Sequence, residues 1–157
     1  MPTTTAPRFG LRGYGQRFSV WASHSLQKAE VRSAFTAAGV SLAGKEVFST
    51  PRHISNLGAE YVGSDAWRAS LQARAQDDYL IDSPNAKGKY GGFVLLDAST
   101  RIKLSKQVSI DVQIKNIADQ NYEYVRYENF FWPANNPQPM YSAGPGRAVY
   151  ASSNATF

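Results

Sequence analysis

At 157 residues, with 17 basic against 12 acidic side chains and 13% aromatic residues, the chain is long enough for one domain or for part of a larger one. No run approaches the roughly 18 apolar residues of a membrane-spanning helix, and the absence of cysteine removes disulfide frameworks and thiolate metal or nucleophile sites. The formal charge of +5 is scattered through the chain with no basic helix or compact basic cluster, so a solvated or lumen face accounts for it and nucleic acid is not an expected partner.

The opening "MPTTTAPRFG" lacks the apolar core of a secretory signal, and residues 1–16 read as an N-terminal lead-in segment. Period-two runs bounded by turn residues then give about six strands between residues 17 and 157. They are Arg17 to Val31, Ser49 to Val62, Trp67 to Ile81, Phe93 to Leu104, the stretch "QVSIDVQIKNIADQNYEY" from Gln107, and Arg147 to Phe157. The segment "KAEVRSAFTAAGVSLAG" has some helical propensity, which Gly39, Gly44 and its β-branched residues weaken.

Each run writes two faces. Val108, Ile110, Val112 and Ile114 oppose Ser109, Asp111, Gln113 and Lys115; Trp67, Ala69, Leu71, Ala73 and Ala75 oppose Arg68, Ser70, Gln72, Arg74 and Gln76. A soluble sandwich would turn the apolar row to a core, and an outer-membrane barrel would turn it to lipid. The connections separate the two. Only "GSDA" follows Val62 and only "SKQ" follows Leu104, whereas long segments follow Val31 and Ile81, and Arg126 to Gly146 carries four prolines. Alternating long and short connections put all long loops at one end of an up-and-down meander, the arrangement of a transmembrane barrel with short periplasmic turns and long extracellular loops. Tyr61 and Trp67 flank one short turn, where an interfacial aromatic girdle would sit and where ordinary hairpin-end aromatics are equally at home.

No catalytic constellation is legible, no cofactor is implied, and the chain is not expected to be an enzyme. His24 and His53 have no metal-ligand spacing to each other or to a carboxylate cluster, and Asp77 and Asp78 read as polar residues near a strand end. "KGKYGG" precedes a strand rather than a helix and so offers phosphate no helix N-terminus. The last long loop is the ligand-binding candidate: Arg126, Tyr127, Phe130, Phe131, Trp132, Asn135 and Tyr141 form an aromatic and polar mixture suited to a bulky ligand at a barrel mouth, or to a loop held by its own rings.

"VQIKNIADQNYEY" resembles the penultimate strand of TonB-dependent outer-membrane receptors of the siderophore-receptor type, through Asn116, Ile117, Asp119 and Tyr122, with Ile in the place of Leu. "GPGRAVYASSNATF" is similar to the family's closing strand, a Pro-Gly-Arg entry and an alternating run ending on an aromatic, here Phe157. "GKEVFSTPRHISNLGAEY" resembles a descending strand of the family through Gly44, Pro51, His53 and Tyr61, and "SVWASHSLQKAEV" the ascending strand before it. The family barrel has about 22 strands around a plug. The resemblance therefore implies residues 17–157 as a C-terminal, incomplete barrel without plug, in the cell outer membrane. Its implied partners are the lipid bilayer, the remaining barrel and plug, the TonB system through that plug, and an iron chelate such as a ferric siderophore. Phe157 would serve membrane insertion, and the closing strand is less apolar than usual, with Ser153 where an aliphatic residue is expected. A soluble β-sandwich binding module and a receptor fragment without transport activity are the competing readings.

Overall fold

The computed structural model describes residues 2–5, 8–129 and 138–156, with side chains at 9–123 and 140–156. Among the described residues thirteen strands follow in chain order: β1 (Pro2–Thr5), β2 (Arg8–Tyr14), β3 (Phe18–Leu26), β4 (Lys28–Val31), β5 (His53–Ser64), β6 (Trp67–Gln76), β7 (Tyr79–Leu80), β8 (Lys89–Tyr90), β9 (Phe93–Lys103), β10 (Val108–Lys115), β11 (Glu123–Asn129), β12 (Gln138–Ala143) and β13 (Ala148–Ala155). Seven of them form one antiparallel sheet in the order β13-β10-β9-β6-β5-β3-β2. That order is an up-and-down meander, since each neighbour is the next long strand along the chain. The other six pair off as β1-β4, β7-β8 and β11-β12, and with the exception of β1 they lie within the three long connections.

The registers keep the two sequence faces apart across the whole sheet. One row runs Val20, Ala59, Leu71, Ala98, Ile114, Val149; the next step along each strand runs Ser19, Glu60, Ser70, Ser99, Gln113, Tyr150. A slip of one residue in any pair would put charges among the aliphatic side chains, so the alternation itself fixes the register. The outer, apolar face is open along its length, with Leu71 at 50% and Leu57 at 55% exposure. Among the described residues no two sheets stack face to face with more than marginal contact, which separates the fold from a β-sandwich. The buried apolar side chains, Ala29, Leu42, Tyr79, Leu80, Ile81 and Leu95, lie instead in the long connections and the loop end of β9.

The strand ends differ from the sequence reading in ways that share a cause. About six strands were expected and seven form the sheet. The additional one is β2, inside the 1–16 lead-in, where Gly10 and Gly13 interrupt a short alternation that pairing with β3 completes. The run Arg17 to Val31 divides at Gln27, whose N–H donates to Arg52 O at 2.8 Å and whose Nε2 donates to Pro51 O at 2.7 Å; β4 then turns to pair with β1. The run beginning at Ser49 becomes a sheet strand only at His53. The run to Ile81 ends its sheet pairing at Gln76, and the run from Gln107 ends at Lys115, because Asn116 takes a φ of 50°. Alternation continues past the point where a pairing partner exists.

At the opposite end the turns are tight. Gly63 forms the irregularity between Val62 and Ser64, and a Cβ there would stand 2.1 Å from the Trp67 ring. Tyr61 and Trp67 pack edge-on with centroids 5.7 Å apart, and Trp67 Nε1 donates to Thr100 Oγ1 at 2.9 Å, as suits amphipathic rings at a membrane boundary.

Candidate functional site

The inner face of the sheet is a wall of paired polar groups. Lys115 Nζ lies 2.9 Å from Asp97 Oδ2, and Arg101 grips Asp111 with both Nε and Nη2, the latter at 3.0 Å. Asn154 Nδ2 donates to Asp111 Oδ2 at 2.8 Å, so this cluster ties β13, β10 and β9 together. Farther round, Arg68 stands 3.9 Å from Glu60, and Ser70 and Ser99 hydroxyls meet at 2.7 Å. Ser19, Trp21, Glu60, Arg68, Gln72 and Asp111 line one concavity on this wall. Gly58 is required there, because a Cβ would fall 2.3 Å from the Trp21 indole laid over it.

The loop end is held by a second set of contacts centred on Asn116, which is 3% exposed. Its N–H donates to Asp97 Oδ1 at 2.9 Å, its Oδ1 accepts from Gln120 N at 3.0 Å, and its Nδ2 donates to Gln120 O at 2.9 Å. Asp119, with φ of 52°, accepts from Arg147 N at 2.8 Å. Tyr122 lies against Gly144, where a Cβ would come within 2.2 Å of its ring, and its ring centroid is 5.0 Å from that of Phe93. Asn116, Asp119 and Tyr122, the residues of the Asn-Ile-x-Asp-x-x-Tyr element, thus clamp the exit of β10 to the entry of β13. Asn and Asp suit this turn because they tolerate positive φ and bond their own backbone.

A third group joins two long connections. Asp82, 2% exposed, accepts from Ala86 N at 2.8 Å and Lys87 N at 3.1 Å. Asn85 reaches across to Glu46, accepting from its N–H at 2.8 Å and donating to its carbonyl at 2.9 Å. Arg52 pairs with Glu46 in turn. The connection after β6 is therefore fastened to the one after β4.

Of the sequence-derived ligand-binding residues, Arg126 and Tyr127 stand on β11, opposite Tyr141 and Met140 of β12, and Tyr141 is exposed. The side chains of Arg126 and Tyr127, and Phe130, Phe131, Trp132, Asn135 and the terminal Phe157, lie outside the described residues. Ser153 pairs with Ile110 on the outer face, where the sequence reading placed it. Sequence reasoning missed the juxtaposition of His24 and His53, which meet across the β3-β5 pair. Among the described residues no group of three or more His, Asp or Glu side chains is arranged to hold a metal ion.

An open antiparallel meander, apolar outside and charged inside, with every long loop at one end, is a section of barrel wall. Residues 5–117 match the family described as TonB dependent receptor-like, beta-barrel. The chain belongs to this family. Members are receptors and transporters of the outer membrane, which sets the outer row against lipid and the polar row toward the lumen. No curated protein matches. Among solved structures, the siderophore receptor PiuA from Acinetobacter baumannii superposes with a TM-score of 0.78 at 19% identity, over 98% of this chain and 22% of that one. The ferric yersiniabactin uptake receptor FyuA from Yersinia pestis gives 0.75 at 18%, over 98% and 24%. The ferric citrate transporter FecA in its unliganded form gives 0.71 at 25%, over 90% and 21%. The chain thus spans about a fifth to a quarter of these family structures.

Proposed function

We propose that this chain forms the C-terminal barrel wall of a receptor for TonB-dependent uptake of a scarce nutrient, with a ferric siderophore as the substrate class. The observation that carries the reading is the continuous polar inner face below three long connections, two of them fastened to each other through Asn85 and Glu46. Such a wall lines one side of a wet lumen with paired charges, and the loops above it offer part of a mouth for ligand capture. PiuA is a siderophore receptor, FecA a ferric citrate transporter and FyuA a ferric yersiniabactin uptake receptor, which supports iron over other nutrients.

In this reading the chain works with the remaining barrel strands, a plug inside them and the TonB system acting through that plug, and it takes no part in nucleic-acid binding. It is no enzyme: its carboxylates serve as partners of Lys115, Arg101 and Arg68 on the wall rather than as acid or base. Arg126, Tyr127, Phe130, Phe131, Trp132, Asn135 and Tyr141 contribute to ligand capture, and Phe157 to insertion. The alternative of a receptor fragment without transport activity shares the fold.

Removing the coding segment from its host and measuring uptake of a panel of radio-iron chelates, with TonB present and absent, tests the proposal. Loss of TonB-dependent uptake of one chelate, restored by complementation, is the expected result. Unchanged uptake of every chelate favours the inactive fragment, and recovery of the chain in the soluble fraction refutes the membrane role.

A further inference from the structure

His24 on β3 and His53 on β5 are 29 residues apart in sequence, yet His53 Nδ1 lies 3.3 Å from His24 Nε2, with ring centroids 5.3 Å apart. Both belong to the outer face. The row Ala22, Leu57, Ala73, Leu96 is wholly apolar; the next toward the loops is His24, Ser55, Ala75, Val94, and His53 and Asp77 follow beyond it. The two imidazoles therefore stand at the loop-side margin of the apolar band, partly open to solvent, away from the inner wall and from the last long loop.

Their other ring nitrogens also have partners. Ser55 Oγ is 2.9 Å from His24 Nδ1, and Asp77 Oδ2 is 3.9 Å from His53 Nε2. A proton on His24 Nδ1 directed at Ser55, and one on His53 Nε2 drawn toward the Asp77 carboxylate, leave lone pairs on the two nitrogens that face each other. In the other tautomer of either ring the 3.3 Å contact is an N–H···N hydrogen bond; in this one the two facing lone pairs are placed to share a cation. A cation about 2.05 Å from each nitrogen, the usual imidazole–zinc length, with the nitrogens 3.3 Å apart, would be held at an angle of about 107°, close to tetrahedral.

We propose that His24 and His53 form a two-histidine chelate for a late first-row divalent cation, of the class of Zn²⁺, Cu²⁺ or Ni²⁺, at the external rim of the barrel wall. Imidazole nitrogen selects these ions over Mg²⁺ and Ca²⁺, which take oxygen ligands. Ser55, at hydrogen-bond distance from His24 Nδ1, and Asp77, whose carboxylate at 3.9 Å favours a proton on His53 Nε2, are positioning residues that favour the tautomer the cation needs. Two protein ligands leave the remaining coordination positions to water or to an incoming donor, so the site is weaker than a four-ligand structural one and exchangeable.

The full chain in detergent micelles, stripped with a chelator, is titrated with Zn²⁺ by calorimetry and with Cu²⁺ by electron paramagnetic resonance. The expected result is one cation per chain, removable by EDTA, with coupling to two imidazole nitrogens in the Cu²⁺ spectrum. His24→Asn and His53→Asn each weaken binding at least about 10-fold, and Asp77→Asn about 10-fold through the outer shell. Heat-dependent gel mobility identifies variants that keep the native sheet, and only those are scored. Absence of saturable binding of either ion below millimolar concentration overturns the proposal. So does equal binding by the double His variant, or Mg²⁺ binding as tightly as Zn²⁺.

Discussion

Leu71→Arg and Gln72→Arg, adjacent in sequence and opposite in direction, separate a lipid-facing from a lumen-facing row. Leu71 is the fifth of ten residues in β6, flanked by Ala59 on β5 and Ala98 on β9. At about 3.4 Å per residue and a tilt of about 40°, β6 covers roughly 26 Å of height, close to the ~25 Å apolar band of an outer-membrane barrel. Leu71 therefore lies near the bilayer midplane, where an arginine costs about 2–4 kcal/mol. That is about 30- to 700-fold in the folding equilibrium. Gln72 faces the wall between Gly58 and Asp97, where an added guanidinium meets water and a carboxylate, so its substitution is close to neutral. Urea titration of the closed barrel that carries this segment, inserted in lipid vesicles and followed by tryptophan fluorescence, measures both. Equal costs, or a larger cost at Gln72, would refute the assignment of faces and with it the barrel reading.

Asn116→Ala should cost about 2–4 kcal/mol, as three side-chain hydrogen bonds go, the one to Pro145 O long at 3.4 Å, and a Cβ residue without a local bonding group is left at positive φ. Asn116→Gly should cost about 1 kcal/mol less because glycine accepts that conformation; the same urea titration ranks them, and glycine proving the worse would contradict the account. Gly144→Ala should drive Tyr122 from its seat beside Phe93, read as a loss of near-ultraviolet circular dichroism with the sheet signal retained. Gly58→Ala should shift Trp21 fluorescence by displacing the indole, and an unchanged spectrum in a variant carrying Trp21 as its sole tryptophan would deny the contact. Deleting Phe157 in the host should lower the outer-membrane level of the protein while ligand affinity per inserted molecule is preserved; impaired binding with normal insertion would place this residue in ligand capture.

The sequence by itself determined the two faces, the antiparallel meander and the end at which the loops gather, because alternation and connection length are local and need no partner to be read. It also carried the Asn116, Asp119 and Tyr122 element through resemblance, although why those residue types are needed became visible only with the turn they build. Tertiary structure decided where each strand stops. Gln27 and Asn116 end pairing through bonds to Arg52, Pro51 and Asp97, groups that chain order leaves between about 20 and 25 residues away. It likewise decided that β2 is a strand, since two glycines dilute its pattern and only β3 beside it supplies the ladder. The meeting of His24 with His53 belongs to the same class: no local period encodes it, and it exists because the β3-β5 register sets Ser55 opposite His24 and carries His53 one diagonal step beyond.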